Sequence, residues 1–284
     1  MKTISKYGSM KTFYKSPDNI FTLFNNDCND ILPCFKESID LIFADPPYFL
    51  SNGGNTIKSG KIVSVNKAKW DEIPEKSELY KFNLKWISNC RKALKPEGTI
   101  WISGTVHNIF AILQALKETK YKVLNVITWQ KTNPPPNFYK KIFLQSTEYI
   151  IFARREKNIT HLFNYDILYK INNQRRMSDV WNLPAVQRWE KECGNHPTQK
   201  PLHLITRIIL SASKAGDIIL DPFSGSGTTG IASNLLNRKY CGIELSEEYL
   251  EYSILRKKQI LNDDFKRKVL HKLKDLKALN NDFW

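Results

Sequence analysis

Residues 218–229 read Ile-Ile-Leu-Asp-Pro-Phe-Ser-Gly-Ser-Gly-Thr-Thr: an apolar run, two closely spaced glycines, then small residues. A short apolar run of this kind suits a strand buried on both faces. Gly225 and Gly227 permit a tight turn into the helix expected over residues 225–236, and let a ligand approach the backbone closely. The N–H groups that open such a helix suit an anionic group. The loop is read as distinct from the dinucleotide fingerprint and from a Walker loop, the latter because Gly-Lys-Ser/Thr is missing. About twenty residues on, Gly242-Ile243-Glu244 ends the next strand, where a carboxylate can accept both hydroxyl protons of a ribose. Turn and acid together read as a nucleoside-cofactor site.

Working outward, strands and helices alternate, which implies an α/β sheet. Before the glycine loop lie apolar runs at Asn19–Asn25, Ile39–Ala44, Thr99–Ser103, Lys122–Trp129 and Glu148–Ala153, read as strands. Helical spacing is seen in Phe82–Leu94, with Phe82, Trp86, Ile87, Cys90 and Leu94 on one face, and in Asn108–Thr119. Pro96-Glu97-Gly98 is read as a turn. Pro201–Ser213 is a helix with Leu202, Ile205, Ile209 and Leu210 inward, Asp217–Leu220 a strand and Tyr240–Leu245 another. A long helix starts at Glu247 and runs into a basic tail. There Phe265, Val269, Leu273 and Leu276 recur at helical spacing, so the tail is expected to pack on the body.

Residues 131–200 differ in character. They contain Pro134-Pro135-Pro136, many Asn and Gln, and 12 basic against 6 acidic residues. This is read as an inserted recognition segment.

Asp45-Pro46-Pro47-Tyr48 follows the strand Ile39–Ala44 at its carboxyl edge, where open α/β sheets bind ligands. Two prolines fix the backbone after the carboxylate and donate no hydrogen bond. The corner is therefore rich in acceptors, with an aromatic ring beside it. It suits a planar base carrying an NH2 group: Asp45 and the Pro46 carbonyl accept the two N–H protons, and Tyr48 stacks on the ring. An exocyclic amine is a weak nucleophile because its lone pair is delocalised. Two acceptors localise that pair, and positioning supplies much of the rate of in-line attack on a methyl sulfonium. A base inside a duplex must be flipped out to reach such a corner.

Asp45-Pro46-Pro47-Tyr48 followed by Asp221-Pro222-Phe223-Ser224-Gly225-Ser226-Gly227 resembles the amino-methyltransferases that act on DNA. The order of motifs, with His196-Pro197-Thr198-Gln199-Lys200-Pro201 before the cofactor strand, is similar to the β class. The resemblance implies a circularly permuted Rossmann-like methyltransferase fold: a mostly parallel seven-stranded sheet, helices on both faces, the N-terminal strand beside the last one, and an inserted DNA-recognition segment. It implies S-adenosylmethionine as cofactor. Asp27 and Cys28 are expected near its adenine and Glu244 with Leu245 at the ribose. Asp45, Asp221, Phe223, Ser224, Gly225, Ser226 and Gly227 would line the rest, with Thr228 and Thr229 nearby and Lys200 at its carboxylate. The catalytic set is Asp45, Pro46, Pro47 and Tyr48, with no metal.

By the same resemblance the divisions are residues 1–132 (catalytic half), 133–195 (target recognition), 196–260 (cofactor half) and 261–284 (basic tail). Phe49-Leu50-Ser51-Asn52-Gly53-Gly54, Trp101-Ile102-Ser103-Gly104 and Ile127-Thr128-Trp129-Gln130-Lys131-Thr132-Asn133-Pro134 are further similar to the DpnA-type adenine methyltransferases of restriction systems, which methylate GATC. The implied partner is DNA, and a homodimer and a cognate restriction endonuclease are further partners suggested by the class. Cytosine-N4 methylation and a non-catalytic DNA-binding module are the alternatives. An intact Asp45 speaks against the first, where Ser commonly replaces it, and an intact cofactor loop against the second.

Composition agrees. The chain has 284 residues, 42% of them apolar, and a formal net charge of +15. That material builds a sizeable core and excludes a disordered chain. The charge favours a polyanionic partner through counterion release. No apolar run reaches membrane-spanning length and no signal peptide is recognised, so the expected location is cytoplasmic. Five scattered cysteines argue against a disulfide framework or zinc site. Cys34 is read as packing, Trp181 and Trp189 as local core, and His107 and His196 as cap or core residues. Arg154, Arg155, Arg175, Arg176 and Arg188 are candidate phosphate or guanine contacts. Residues 49–69, polar and lysine-bearing, read as a loop that closes over DNA.

Overall fold

In the computed structural model, residues 11–47, 55–58, 61–64, 76–134, 136, 141–194 and 196–279 are described. In chain order the elements are β1 (Tyr14–Lys15), β2 (Phe21–Asn25), α1 (Cys28–Ile31), β3 (Ile39–Ala44), β4 (Asn55–Lys58), β5 (Lys61–Ser64), α2 (Lys76–Ala93), β6 (Leu94–Gly104), α3 (Ile109–Glu118), β7 (Lys122–Lys131) and β8 (Thr147–Arg154). They continue with α4 (Tyr165–Ile171), β9 (Val180–Leu183), α5 (Leu202–Ala212), β10 (Ile218–Asp221), α6 (Thr228–Leu235), β11 (Lys239–Glu244), α7 (Glu247–Gln259), α8 (Asp263–Lys272) and α9 (Lys274–Lys277).

The main sheet has the order β1-β2-β11-β10-β3-β6-β8-β7-β9. From β2 to β6 every pairing is parallel, and β8 runs antiparallel between β6 and β7. The seven expected strands, β2 to β7 in that order, are present. The described sheet has nine because β1 and β9 extend its two edges. The N-terminal β2 lies beside β11, the last strand, as a permuted order requires.

Period-two alternation splits the strands between two cores. On β3, Leu41 and Phe43 join the core beneath α4 to α9, whereas Ile42 and Ala44 join the core beneath α1, α2 and α3. Trp101 and Ile102 divide in the same way on β6. Strand β3 is buried along nearly its whole length, which is why it reads as continuous apolar sequence.

Two local readings change. The turn Pro96-Glu97-Gly98 lies inside β6 as a bulge: the pairing steps from Ile39↔Leu94 to Leu41↔Thr99. A Cβ on Gly98 would stand 2.9 Å from the Lys95 carbonyl, so this fold-back needs glycine. Cys34 is exposed rather than packed. The 3-10 turn Leu32–Phe35 places Leu32 and Phe35, three residues apart, on the inner face and Cys34 outward.

The basic tail packs on the body. Val269, Leu273, Leu276 and Leu279 are buried in the α4–α9 core. Arg207 of α5 donates to both oxygens of Asp275 in α9 at 2.7 and 2.8 Å. Residues 133–195 contribute β8 and β9 to the sheet, so among the described residues the stretches outside it are the segment before β8, the α4-bearing connection between β8 and β9, and the segment after β9 with its 3-10 turn Arg188–Lys191. Of the 49–69 loop, β4 and β5 pair as an antiparallel hairpin, and the rest lies outside the described residues. Among the described residues no helix is long and apolar enough to cross a membrane.

Candidate active site

Strands β3 and β10 are parallel neighbours, with Ile219 opposite Leu41 and Leu220 opposite Ile42. Their carboxyl ends therefore bring Asp45 and Asp221 to one edge of the sheet, and β11 adds Glu244 beside them. This is the edge at which parallel α/β sheets place ligands.

The glycine turn is fixed from several sides. Gly225 and Gly227 have φ of 49° and 73°, in the left-handed region. A Cβ on Gly227 would stand 1.8 Å from Ser253 Oγ, and one on Gly225 would stand 3.0 Å from His196 Nε2. Gly225, Gly227 and Gly230 do hold the G-x-G-x-x-G spacing. This corrects the reading of the loop as distinct from that fingerprint. Gly230 has the packing role of a third glycine, because a Cβ there would stand 2.4 Å from Phe21 and 2.5 Å from Tyr240.

Asp221 is buried, accepting from Phe223 N at 3.0 Å and from Thr229 Oγ1 at 2.6 Å. Burial pushes its carboxyl up to about 7, against those two hydrogen bonds. Ser224 Oγ lies 2.8 Å from Tyr240 Oη. Buried Arg256, on α7, donates to the Ser226 carbonyl and to Thr228 Oγ1, both at 2.8 Å. The side chains of Asp221, Ser224, Thr228 and Thr229 thus shape the turn from within, and Gly225 and Gly227 are themselves buried.

Glu244 Oε2 accepts from Gly225 N at 2.9 Å and Oε1 from Ser246 N at 3.0 Å. Burial raises its pKa, and those backbone donors oppose the shift. Leu245, next in the chain, is 69% exposed. Phe223 packs edge-on against Trp86 at 5.3 Å between ring centres. Asp27 caps α1, accepting from Asn29 N at 2.7 Å, and stays exposed. Cys28 is buried, and burial pushes its thiol up to about 12, so it is inert.

This arrangement fits an adenosine-bearing sulfonium. A ribose would meet the Glu244 carboxylate, and a purine the exposed Leu245 side chain and the exposed acceptor Asp27, while beside Gly225 the space a Cβ would enter is held by the His196 ring, 3.0 Å away.

On the other flank, Asp45 Oδ2 accepts from Lys200 Nζ at 2.7 Å. Lys200, expected at a cofactor carboxylate, is buried here between two carboxylates of the protein. Its amine also lies 3.6 Å from Glu148 Oε2, and Glu148 Oε1 accepts from Lys131 at 2.6 Å. Desolvation disfavours the Lys200 ammonium, but Asp45 and Glu148 outweigh it and raise the pKa.

The connecting segment sets Lys200 in place. Gln199 Nε2 donates to the Glu190 carbonyl at 2.9 Å, and Glu190 Oε2 accepts the first N–H of α5, from Leu202, at 2.8 Å. Pro46 is buried and Pro47 half-buried at the end of β3, and Tyr48 lies outside the described residues. Beside the pair is a cavity of about 660 Å³ whose lining includes Trp129, Lys131, Glu148, Tyr149, Gln199 and Lys200.

Glu148 and Arg256 are given no functional role by the sequence, and Lys131 and Gln199 enter it only as members of longer motifs. Glu148 did carry a signal, as an acidic residue opening the apolar run of β8. His196, read as a cap or core residue, covers the glycine turn; burial lowers its pKa to about 4. Of the arginines, Arg155 is taken by Glu37 and the Leu94 carbonyl and Arg154 by the Lys157 carbonyl. Arg175, Arg176 and Arg188 are exposed. Trp181 is buried, and Trp189 packs on the same core.

Fold and site define a methyltransferase of the kind that modifies DNA, and comparison with known proteins agrees. A family model described as DNA methylase, of N6 and N4 methyltransferases, matches residues 39–255, and the chain belongs to that family. It is 52% identical over 264 residues to the Type II methyltransferase M2.MboI of Moraxella bovis, covering 92% of this chain and 97% of that one. It is 47% identical over 251 residues to M2.DpnII of Streptococcus pneumoniae, covering 87% and 93%. Among solved structures, the M1.HpyAVI–SAM complex matches with a TM-score of 0.64 at 28% identity, over 84% of this chain and 98% of that one. The cytosine-N4-specific PvuII methyltransferase matches with a TM-score of 0.70 at 17% identity, over 93% and 96%, a likeness of fold alone.

Proposed function

We propose that the protein is a Type II, S-adenosylmethionine-dependent DNA methyltransferase that methylates the N6 amine of a flipped adenine in a short site of the GATC type. The observation that carries this reading is the Asp45 carboxylate, held by Lys200 at 2.7 Å on the same sheet edge as the glycine turn and Glu244. The likeness to M2.MboI and M2.DpnII and the DpnA-like segments support GATC as the site. S-adenosylmethionine supplies an electrophilic methyl group when bound.

The chain's own residues do the rest. Asp45 and the Pro46 carbonyl accept the two amine protons and localise the nitrogen lone pair, which forms the new N–C bond while the methyl–sulfur bond breaks. Tyr48 stacks on the base. The amine then sheds one proton to solvent or to Asp45. Glu244 and Leu245 hold the nucleoside, and the Gly225–Gly227 turn holds the amino-acid end. Residues 133–195 carry target recognition, chiefly through the loops outside the sheet. DNA is the partner, a cognate endonuclease shares the site, and the enzyme works in the cytoplasm.

The test is incubation with unmethylated genomic DNA and labelled S-adenosylmethionine, followed by nucleoside mass spectrometry and modification-sensitive sequencing. N6-methyladenine confined to one short motif is the expected result. N4-methylcytosine would overturn the base assignment, and no modified base despite proven cofactor binding would overturn DNA as the substrate.

A further inference from the structure

Glu148 takes no part in the chemistry above, yet it is buried next to it. It stands on β8, opposite Trp129 of β7 in the antiparallel register. One carboxylate oxygen is 2.6 Å from Lys131 and the other 3.6 Å from Lys200, whose amine is 2.7 Å from Asp45. The side chains of Lys200, Asp45, Glu148 and Lys131 are 7, 15, 14 and 16% exposed. Four charges of alternating sign therefore run from β7 through β8 and the segment before α5 to the end of β3. Lys131 also lies 5.2 Å from the centre of the Trp129 ring, which anchors the far end. Burial works against the Glu148 charge, but Lys200 and Lys131 outweigh it and hold the carboxyl below its ordinary range.

An ammonium held by a single carboxylate moves with it. An ammonium between two carboxylates on separate strands of one sheet is fixed along the line that joins them. We propose that Glu148 is a positioning residue for methyl transfer: it anchors Lys200 against Asp45, so that Asp45 meets the substrate amine as a fixed, charged acceptor. The proposal rests on the methyl-transfer reading. Among the described residues, the titratable groups near the Lys200 amine include Asp45 from β3, Glu148 from β8 with Lys131 of β7 behind it, and His196 on the same connecting segment. His196 is neutral over the working range of pH, its pKa lowered by burial to about 4, so the two carboxylates set the charge state of Lys200.

The test compares Glu148→Gln, Glu148→Asp, Lys131→Met and the double variant Glu148→Gln/Lys131→Met with the wild type on the same methylatable duplex. Melting and calorimetric S-adenosylmethionine binding are recorded for each. Misplaced reacting groups cost on the order of 10²-fold, so Glu148→Gln lowers kcat by that order while KM for S-adenosylmethionine is unchanged. The alkaline limb of its kcat–pH profile moves to lower pH, because Lys200 has lost one of the two carboxylates that keep it charged.

Glu148→Asp keeps the wild-type limb, and remains the test if the glutamine variant does not fold. A merely structural role lowers the melting temperature and leaves the limb in place. If Glu148 serves only to neutralise Lys131, the double variant recovers the wild-type rate, and that result overturns the proposal. So does an unchanged kcat and pH limb in Glu148→Gln beside an active wild type. A wild type that makes no N6-methyladenine removes the underlying reading instead, and the two failures are thereby distinct.

Discussion

The two flanks of the sheet edge are built differently. On the cofactor side, the β10–α6 turn is shaped by residues close in sequence: Asp221 accepts from Phe223 and Thr229, and Gly225 and Gly227 supply left-handed backbone. On the substrate side, the acceptor Asp45 is set by Lys200, 155 positions away, and through it by Glu148. The path of the turn is set by its own few residues, and the side chains that brace it, Glu244 and Arg256, come from 19 and 30 positions away. A long-range ion chain exists only when three strands and a connecting segment are all in register. The cofactor turn therefore depends mainly on one stretch of chain, from the β10–α6 motif to α7, whereas the catalytic acceptor depends on strands drawn from the whole fold.

The widest separation of the two flanks is expected from Asp45→Ala. Removing a preorganised polar group that acts on the reacting atoms costs about 10²–10³-fold in kcat. S-adenosylmethionine affinity, measured by calorimetry, stays at the wild-type value. A mutant that still turned over at the wild-type rate would take Asp45 out of the mechanism.

Gly227→Ala attacks the other flank. Its Cβ meets Ser253 Oγ at 1.8 Å in a left-handed backbone, so chemical denaturation is expected to show about 2–4 kcal/mol of lost stability. In a Ser253→Gly background the clash is relieved and only the backbone strain remains, about 1–2 kcal/mol. Equal losses in both backgrounds would show that Ser253 does not set the turn.

The same contrast governs what the sequence reveals. The glycine turn, Glu244 and Asp45-Pro46-Pro47 are contiguous motifs whose chemistry is visible in the order of their residues. The seven inner strands are likewise legible, because burial on both faces forces apolar runs such as Ile39–Ala44. The edge strands β1 and β9 are not: two and four residues long, they carry little periodicity, and their pairing decides them. Arg256 and Glu148 are charged residues whose partners lie far away along the chain, so no local pattern marks them. Cys34 fails for the opposite reason, since a 3-10 turn rotates it away from the face a full α-helical period would give.

His196 joins the two flanks, covering Gly225 on one side and standing near Lys200 on the other. Burial lowers its pKa from 6.5 to about 4. The unfolded chain then binds a proton that the folded one refuses. Its contribution is fully present above pH 6.5 and is lost as pH falls toward about 4, by up to about 3 kcal/mol. Denaturation curves of wild type and His196→Gln are expected to converge as pH falls through this window. Parallel curves would mean that the imidazole is solvated in the folded protein.

The smallest effect, and the sharpest test of the cofactor flank, belongs to Glu244→Ala. Its two oxygens already accept from Gly225 N and Ser246 N, so the carboxylate both closes the turn and faces the nucleoside. Loss of hydrogen bonds to a charged acceptor weakens S-adenosylmethionine binding by about 1–3 kcal/mol. Glu244→Gln separates the two duties. It keeps one acceptor oxygen for a backbone N–H but gives up the second acceptor that a ribose diol needs. If the carboxylate serves the ribose, calorimetry shows the glutamine variant nearly as weak as alanine while its melting temperature lies between alanine and wild type, because one of the two backbone N–H bonds is kept. If Glu244 only closes the turn, alanine loses both stability and affinity, and glutamine restores part of each in step.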